Sequence, residues 1–474
     1  MLFNSFQFLL FFIIVTGLYF ILPYRFRWLL LLVASCVFYM AFIPVYIFIL
    51  FGTIIIDYIA GILIENAPAS KRKAYLAMSL VANIGVLAVF KYFNFFIDNA
   101  NDVLHYLHIT AQPLQHLGII LPIGLSFHTF QAMSYTIEVY RGHQKAERHF
   151  GIYSLYVMFY PQLVAGPIER PQNMLHQFHE EHSFSSENML TGLRLMMWGL
   201  FKKVVVADRV SAYADAIFNH PGDYHNLQII VGVLAFTIQI YCDFSGYSDM
   251  AIGSAKCMGF DLMTNFNRPY FSVNIREFWS RWHISLSTWF RDYLYISLGG
   301  NRLGKFKMYR NLAIVFLVSG FWHGANWTYV IWGGIHAFFN ISYIMMDSYF
   351  KQMKTGMNRL MKPAGWLATF AVVSFAWIFF RAESFDRACM IVSRIFSHDH
   401  LFASFNSVKS FGTLSVVASL LACGYMMVIE KIAPPDLGWF KDKPYLDLAF
   451  CIVTIFMIVS LGVFKQQSFI YFQF

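Results

Sequence analysis

The feature that most constrains this chain is a repetition: eleven apolar runs, 14 to 35 residues long and poor in charge, follow one another from end to end. They are Phe6 to Leu22, Trp28 to Ile43, Val45 to Ile64, Leu76 to Phe96, Leu117 to Tyr140, Leu190 to Ala207, Leu227 to Ala251, Leu312 to Met346, Leu367 to Phe380, Leu414 to Ile429 and Leu446 to Val463. A helix that spans a bilayer needs about 20 mainly apolar residues. Only 13% of the side chains are charged, about half of what coats a water-soluble domain. A soluble fold is excluded. The expectation is an all-α, polytopic transmembrane protein with about eleven spans plus re-entrant and interfacial amphipathic helices. The 35-residue run from Leu312 reads either as two passes or as one pass with a re-entrant piece.

Basic residues mark the cytoplasmic side of short loops. Arg25 and Arg27 follow the first run, Lys71, Arg72 and Lys73 follow the third, and Arg141, Lys145 and Arg148 follow the fifth. The loop over 97–116 carries Asp98 and Asp102 but no Lys or Arg. This alternation predicts an outside N-terminus with the 24–27, 70–74 and 141–149 loops inside. The opening Met1-Leu2-Phe3-Asn4 lacks the basic stretch of a cleavable signal, so the first run is expected to stay as an anchor. The six cysteines form no CxxC pair and read as small buried hydrophobes.

Of the net charge of +9, +6 sits in residues 265–310, where eight basic residues face two acidic ones. No motif supports nucleic-acid binding. Anionic membrane lipid at the cytoplasmic face explains such a segment, and its field would also attract a phosphate-bearing donor. Within it, Trp279, Trp282, Leu286, Trp289, Phe290 and Tyr293 fall on one stripe at helical spacing, with Arg276, Arg281 and Arg291 as the polar complement. That pattern predicts an interfacial amphipathic helix with His283 near the edge of its apolar stripe.

Forty residues on, Ser319-Gly320-Phe321-Trp322-His323-Gly324-Ala325-Asn326 places a histidine inside an apolar run. An ionisable group at membrane depth is costly, so it marks a functional site by default. A neutral imidazole there can accept a proton. His336 reads as a packing residue. His176, His179 and His182 depart from HExxH and read as a polar outward loop rather than a metal site; His398-Asp399-His400 likewise reads as a loop.

At this point the chain resembles the membrane-bound O-acyltransferases, in the bacterial branch that contains the alginate O-acetyltransferase membrane subunits. The marks are Leu121-Pro122-Ile123-Gly124-Leu125-Ser126-Phe127-His128-Thr129-Phe130-Gln131, Pro161-Gln162-Leu163-Val164-Ala165-Gly166-Pro167-Ile168, Asp243-Phe244-Ser245-Gly246-Tyr247-Ser248-Asp249, the segment around His283 through Leu298-Gly299-Gly300-Asn301-Arg302, and Trp322-His323-Gly324-Ala325. His128 stands where that branch often has tyrosine. The resemblance implies one integral membrane domain over 1–474 with a motif-bearing core over 118–345, and a funnel with a central tunnel. It also implies catalytic roles for His323, as base, and His283, which would position or polarise the donor carbonyl.

The same resemblance makes Trp322, Asn326, Asp249, Asp243, Gln162, Glu169 and Gln131 candidates to line the tunnel. Asp243 and Asp249 lie about 1.7 turns apart, off a common helix face, so a two-carboxylate acid/base pair is not expected; each either lines the tunnel or bonds a facing helix. Gln162 and Glu169 flank a Pro-Gly-Pro stretch that suits a broken or re-entrant segment. Arg276, Trp279, Arg281, Trp282 and Arg291 form the donor side. The implied activity is O-acylation of an extracytoplasmic polysaccharide, either an alginate-like exopolysaccharide or peptidoglycan. The acyl group would be acetyl from acetyl-CoA, passed outward in a bacterial inner membrane with an exported esterase-like acetyltransferase as partner. No bound cofactor and no metal are expected. D-alanyl transfer to teichoic acid from a carrier-protein thioester is the sister reading. A transporter or flippase is the reading from another class, although the chain shows no paired halves with matching interrupted helices.

Overall fold

The computed structural model describes residues 1–109, 112–350, 361–397, 412–433, 437, 443–464 and 469–470, and every regular element among them is helical. Hydrocarbon offers no hydrogen-bond partners, so a lipid-exposed segment must satisfy its own N–H and C=O groups, as a helix does. Seven helices among the described residues are long and apolar enough to cross a membrane: Pro44–Asn66, Ala69–Tyr106, Asn226–Cys257, Trp327–Asp347, Lys362–Arg381, Leu414–Ile432 and Pro444–Leu461. The chain is a polytopic helical membrane protein.

The eleven runs do not each become one long helix, and the reasons are local. The first two give helices of 16 and 17 residues, Phe6–Ile21 and Tyr24–Met40. The run from Leu117 is helical only from Leu125: residues 112–122, which include Pro113 and Pro122, are not, and Gly124 turns the chain at φ +76° before helix Leu125–Arg141 begins. Proline cannot donate to a helix ladder and disfavours helix in the residue before it. The run from Leu190 passes from helix Ser186–Phe201 into a π turn at Lys202–Ala207 and then helix Asp208–Asn219. The long run from Leu312 resolves into two helices, Lys305–His323 and Trp327–Phe350.

The chain forms two compact units, residues 1–189 with 254–263, and residues 190–253 with 264–474. In the first, helices Ile47–Asn66, Ala69–Leu87 and Leu125–Arg141 enclose a buried polar cluster. Ser79 donates to Asp57 at 2.6 Å, Asn83 donates to both Asp57 oxygens at 2.9 and 3.0 Å, and Ser79 and Thr136 share a 2.9 Å bond. The second unit holds the basic segment and the His323 helix. There Lys305–His323 and Trp327–Phe350 form a tight hairpin. A Cβ on Gly320 would lie 2.2 Å from the Tyr329 carbonyl oxygen, and one on Gly333 would lie 2.3 Å from that of Phe316. Glycine is what permits the two backbones to approach this closely.

Two sequence expectations need correction. The segment around His283 is not one interfacial helix: it is two seven-residue helices, Ile275–Arg281 and Ile284–Phe290, then a π turn at Arg291–Tyr295. The break falls on His283, whose φ of +42° is left-handed and unusual for a non-glycine residue. Its stripe is nonetheless inward, since Trp282, Leu286, Trp289, Phe290 and Tyr293 are buried. The cysteines also differ from expectation: only Cys242 and Cys257 are buried, and Cys389 is exposed. Exposed apolar side chains are ordinary here, with Leu414 83% exposed, because lipid, not water, covers the outer surface.

Candidate functional site

The site is built in the second unit from the break in the basic segment. His283 is 1% exposed, and its Nδ1 lies 3.1 Å from Asn265 Oδ1. That oxygen also accepts from the Ser285 backbone N–H at 3.3 Å and the Ser285 hydroxyl at 2.9 Å, while Asn265 Nδ2 donates to Ser248 at 3.2 Å. A backbone N–H can only donate, so the atom it faces is the amide oxygen, and the imidazole must carry its proton on Nδ1. Nε2 is then the lone-pair nitrogen. The ring meets Phe244 edge-on at 4.7 Å and stacks with Phe266 at 6.2 Å. Burial pushes its pKa down to about 3, which keeps it neutral near pH 7.

His323 ends its helix and is 5% exposed. Its ring is boxed by Trp322 at 4.9 Å, Trp332 at 5.1 Å and Phe380 at 5.2 Å. Trp332 stacks with Trp377 at 5.7 Å, and Trp377 meets Trp282, beside His283, at 5.0 Å. The two histidines thus belong to one continuous aromatic layer.

The remaining candidates divide. Asp243 pairs with Lys203 at 2.7 Å and accepts from the Ile470 N–H at 2.7 Å, and Lys203 also pairs with Asp208 at 2.8 Å. Asp249 pairs with Lys202 at 2.6 Å and lines a small cavity of about 20 Å³ with Trp198, Tyr241, Phe266, Arg268 and Glu430. Both aspartates therefore bond the π turn at 202–207 of their own unit. Asn326 is taken up by backbone: its side chain accepts from the Thr328 N–H and donates to the Glu383 carbonyl, each at 3.0 Å. Trp322 is buried against His323.

Gln131, Gln162 and Glu169 lie in the first unit. Gln131 and Gln162 both donate to the Tyr156 carbonyl, at 2.5 and 2.7 Å, and Glu169 accepts from the Met263 N–H at 2.5 Å. Burial raises the Glu169 carboxyl to about 7, opposed by that N–H. The Pro-Gly-Pro stretch is broken as expected, with a four-residue helix at Tyr160–Leu163. Of the residues expected on the donor side, Arg276 and Arg291 are exposed, Arg281 pairs with Glu277 at 2.6 Å, Trp279 is half-buried and Trp282 is buried. His176 and His179 sit exposed on a short turn, no group of three or more potential metal ligands is found among the described residues, and His398-Asp399-His400 lies outside them.

A family model described as "MBOAT, membrane-bound O-acyltransferase family" matches residues 18–382. The chain belongs to that family. It is an O-acyltransferase, and every residue of the aromatic layer falls inside the matched span. Similar relatives include a probable alginate O-acetylase of Pseudomonas aeruginosa, 41% identical over 84% of this chain and 75% of the relative. A peptidoglycan O-acetyltransferase of Helicobacter pylori is 36% identical over 77% and 72%. A teichoic acid D-alanyltransferase of Bacillus subtilis is more distant, 28% identical over 56% and 70%.

Sequence reasoning missed Asn265, Ser285, Lys202, Lys203, Glu430 and the setting of His336. The adjacent lysines at the end of an apolar run were a usable signal, since charges at membrane depth pair or carry function. Asn265 and Ser285 gave none: their role depends on a left-handed turn that periodicity does not encode.

Proposed function

We propose that this membrane-bound O-acyltransferase takes an acetyl group from a cytoplasmic thioester, acetyl-CoA in the simplest case, and passes it across a bacterial inner membrane for O-acetylation of an exported polysaccharide. The observation that carries the reading is the pair of buried histidines in one aromatic layer, with the tautomer of His283 fixed by Asn265. The relatives named for alginate and peptidoglycan acetylation are the more similar ones, which favours acetyl over D-alanyl.

In this reading His323 takes the proton of an acceptor hydroxyl as its oxygen bonds to the thioester carbonyl carbon. The C=O pair moves onto the carbonyl oxygen and then returns, the C–S bond breaks, and the proton held by His323 passes to the departing thiolate. His283, neutral and with its lone pair on Nε2, orients the donor. The basic residues over 265–310 draw in the phosphates of the donor from the cytoplasmic side, with the N-terminus outside. The group leaves on the far side to a polysaccharide hydroxyl, directly or through an exported acetyltransferase partner.

The test is release of CoA thiol and labelled acetyl ester by the purified chain in liposomes supplied with acetyl-labelled CoA and an oligosaccharide. His323→Ala is expected to reduce transfer by about 10²–10⁴-fold, the usual worth of a positioned general base. Unchanged transfer in that variant would overturn the assignment, and solute flux with no acyl chemistry would favour a carrier instead.

A further inference from the structure

His336 is 0% exposed, and neither of its ring nitrogens has a hydrogen-bond partner among the described residues. Its neighbours share this condition. The indole nitrogens of Trp279 and Trp332 are also buried without a partner. The three rings form one cluster, with His336 at 4.9 Å from Trp279 and 4.9 Å from Trp332, and the two indoles 5.8 Å apart. Phe278 and Phe316 stack against the imidazole at 6.4 and 6.3 Å. Four polar atoms on three touching side chains therefore receive no hydrogen bond from the described residues, inside an otherwise aromatic wall.

Buried polar atoms are nearly always hydrogen-bonded, and each exception calls for an explanation. A ring face accepts an N–H only weakly, so the edge-on contacts here do not offset desolvation. Packing alone would be served better by phenylalanine. The chemistry of the cluster is specific: two indoles that can only donate and one neutral imidazole with a single N–H make three donors. Such a set suits an oxygen that accepts and gains negative charge. Trp332 also touches His323, at 5.1 Å, so the donors adjoin the proposed base. Trp279 is half-buried and comes from the basic segment, which links the cluster to the donor side.

We propose that Trp279, Trp332 and His336 form a donor pocket that receives the carbonyl oxygen of the acyl group and stabilises its charge while the acceptor oxygen adds. This rests on the acyl-transfer reading above and assigns its missing electrophilic half: His323 handles the proton, and the cluster handles the oxygen. Donors placed where charge develops act mainly on the chemical step.

The experiment compares His336→Phe, Trp332→Phe and Trp279→Phe, which keep an aromatic ring and remove the polar atoms, in the proteoliposome assay with labelled acetyl-CoA. Each is expected to lower kcat by about 10²-fold and to leave the KM for the donor within about two-fold; His336→Phe, which nearly conserves volume, is also expected to keep or raise the melting temperature, because unsatisfied buried atoms are removed, whereas the two indole variants lose some stability to the space they vacate. A purely structural role would move the melting temperature and spare kcat. Turnover within about two-fold of the unmodified chain in the variants that fold would overturn the proposal. Should His336→Phe fail to fold, the two indole variants decide it on the same criterion. Absence of both CoA thiol release and acetyl transfer by the unmodified chain would overturn both this proposal and the reading beneath it, whereas activity lost in His323→Ala but intact in the three phenylalanine variants would overturn this one alone.

Discussion

At the scale of the residue, the informative group is His283, because two independent constraints act on it. Asn265 sets which nitrogen holds the proton, and burial holds its pKa near 3. The unfolded chain has its imidazole near 6.5 and so binds more protons than the folded one between those values. Stability contributed by this group is therefore complete above about pH 6.5 and is lost as pH falls toward 3. His283→Gln should lose less stability than the unmodified chain between pH 6.5 and 4 in detergent melts; parallel curves would contradict a neutral buried imidazole. His323 was legible in the sequence as a candidate because a histidine stands out in an apolar run. The surroundings that decide its chemistry were not: Trp332, Trp377 and Phe380 come from helices whose pairing no periodicity in the sequence records.

At the scale of the element, local rules settled where helices stop and tertiary packing settled what they touch. The Pro122 and Gly124 signals were present in the sequence and delay the helix to Leu125. The break at His283 was not legible, since an unbroken 3.6-residue stripe runs across it and only the backbone shows φ at +42°. The hairpin that presents His323 depends on close backbone approach, and this gives a paired prediction. Gly320→Val would press a side chain onto the Tyr329 carbonyl, 2.2 Å from its Cβ, and should cost roughly 1–3 kcal/mol or more. Gly334→Ala, on the partner helix but with its nearest contact at 3.8 Å, should be neutral or stabilising by up to about 1 kcal/mol. Thermal melts of the two variants in detergent check this; equal behaviour would mean that the hairpin is not packed through Gly320.

At the scale of the whole molecule, charge scarcity was enough to predict a polytopic helical membrane protein, while seven helices among the described residues are long and apolar enough to cross a membrane. Hydropathy registers apolar length without regard to whether a helix is continuous, so runs divided by Pro, Gly or a π turn counted as plain spans. Charge also supplies the proposed direction, with the net +6 over 265–310 on the side expected to face the donor. The most direct test of the account is therefore transfer across sealed vesicles of known orientation, with labelled acetyl-CoA supplied to one face and an oligosaccharide to the other. The account predicts acetyl ester on the oligosaccharide only when the donor meets the face bearing residues 265–310, with the seal intact and with transfer lost in His323→Ala. Equal transfer from both faces, or transfer that survives His323→Ala, would contradict it.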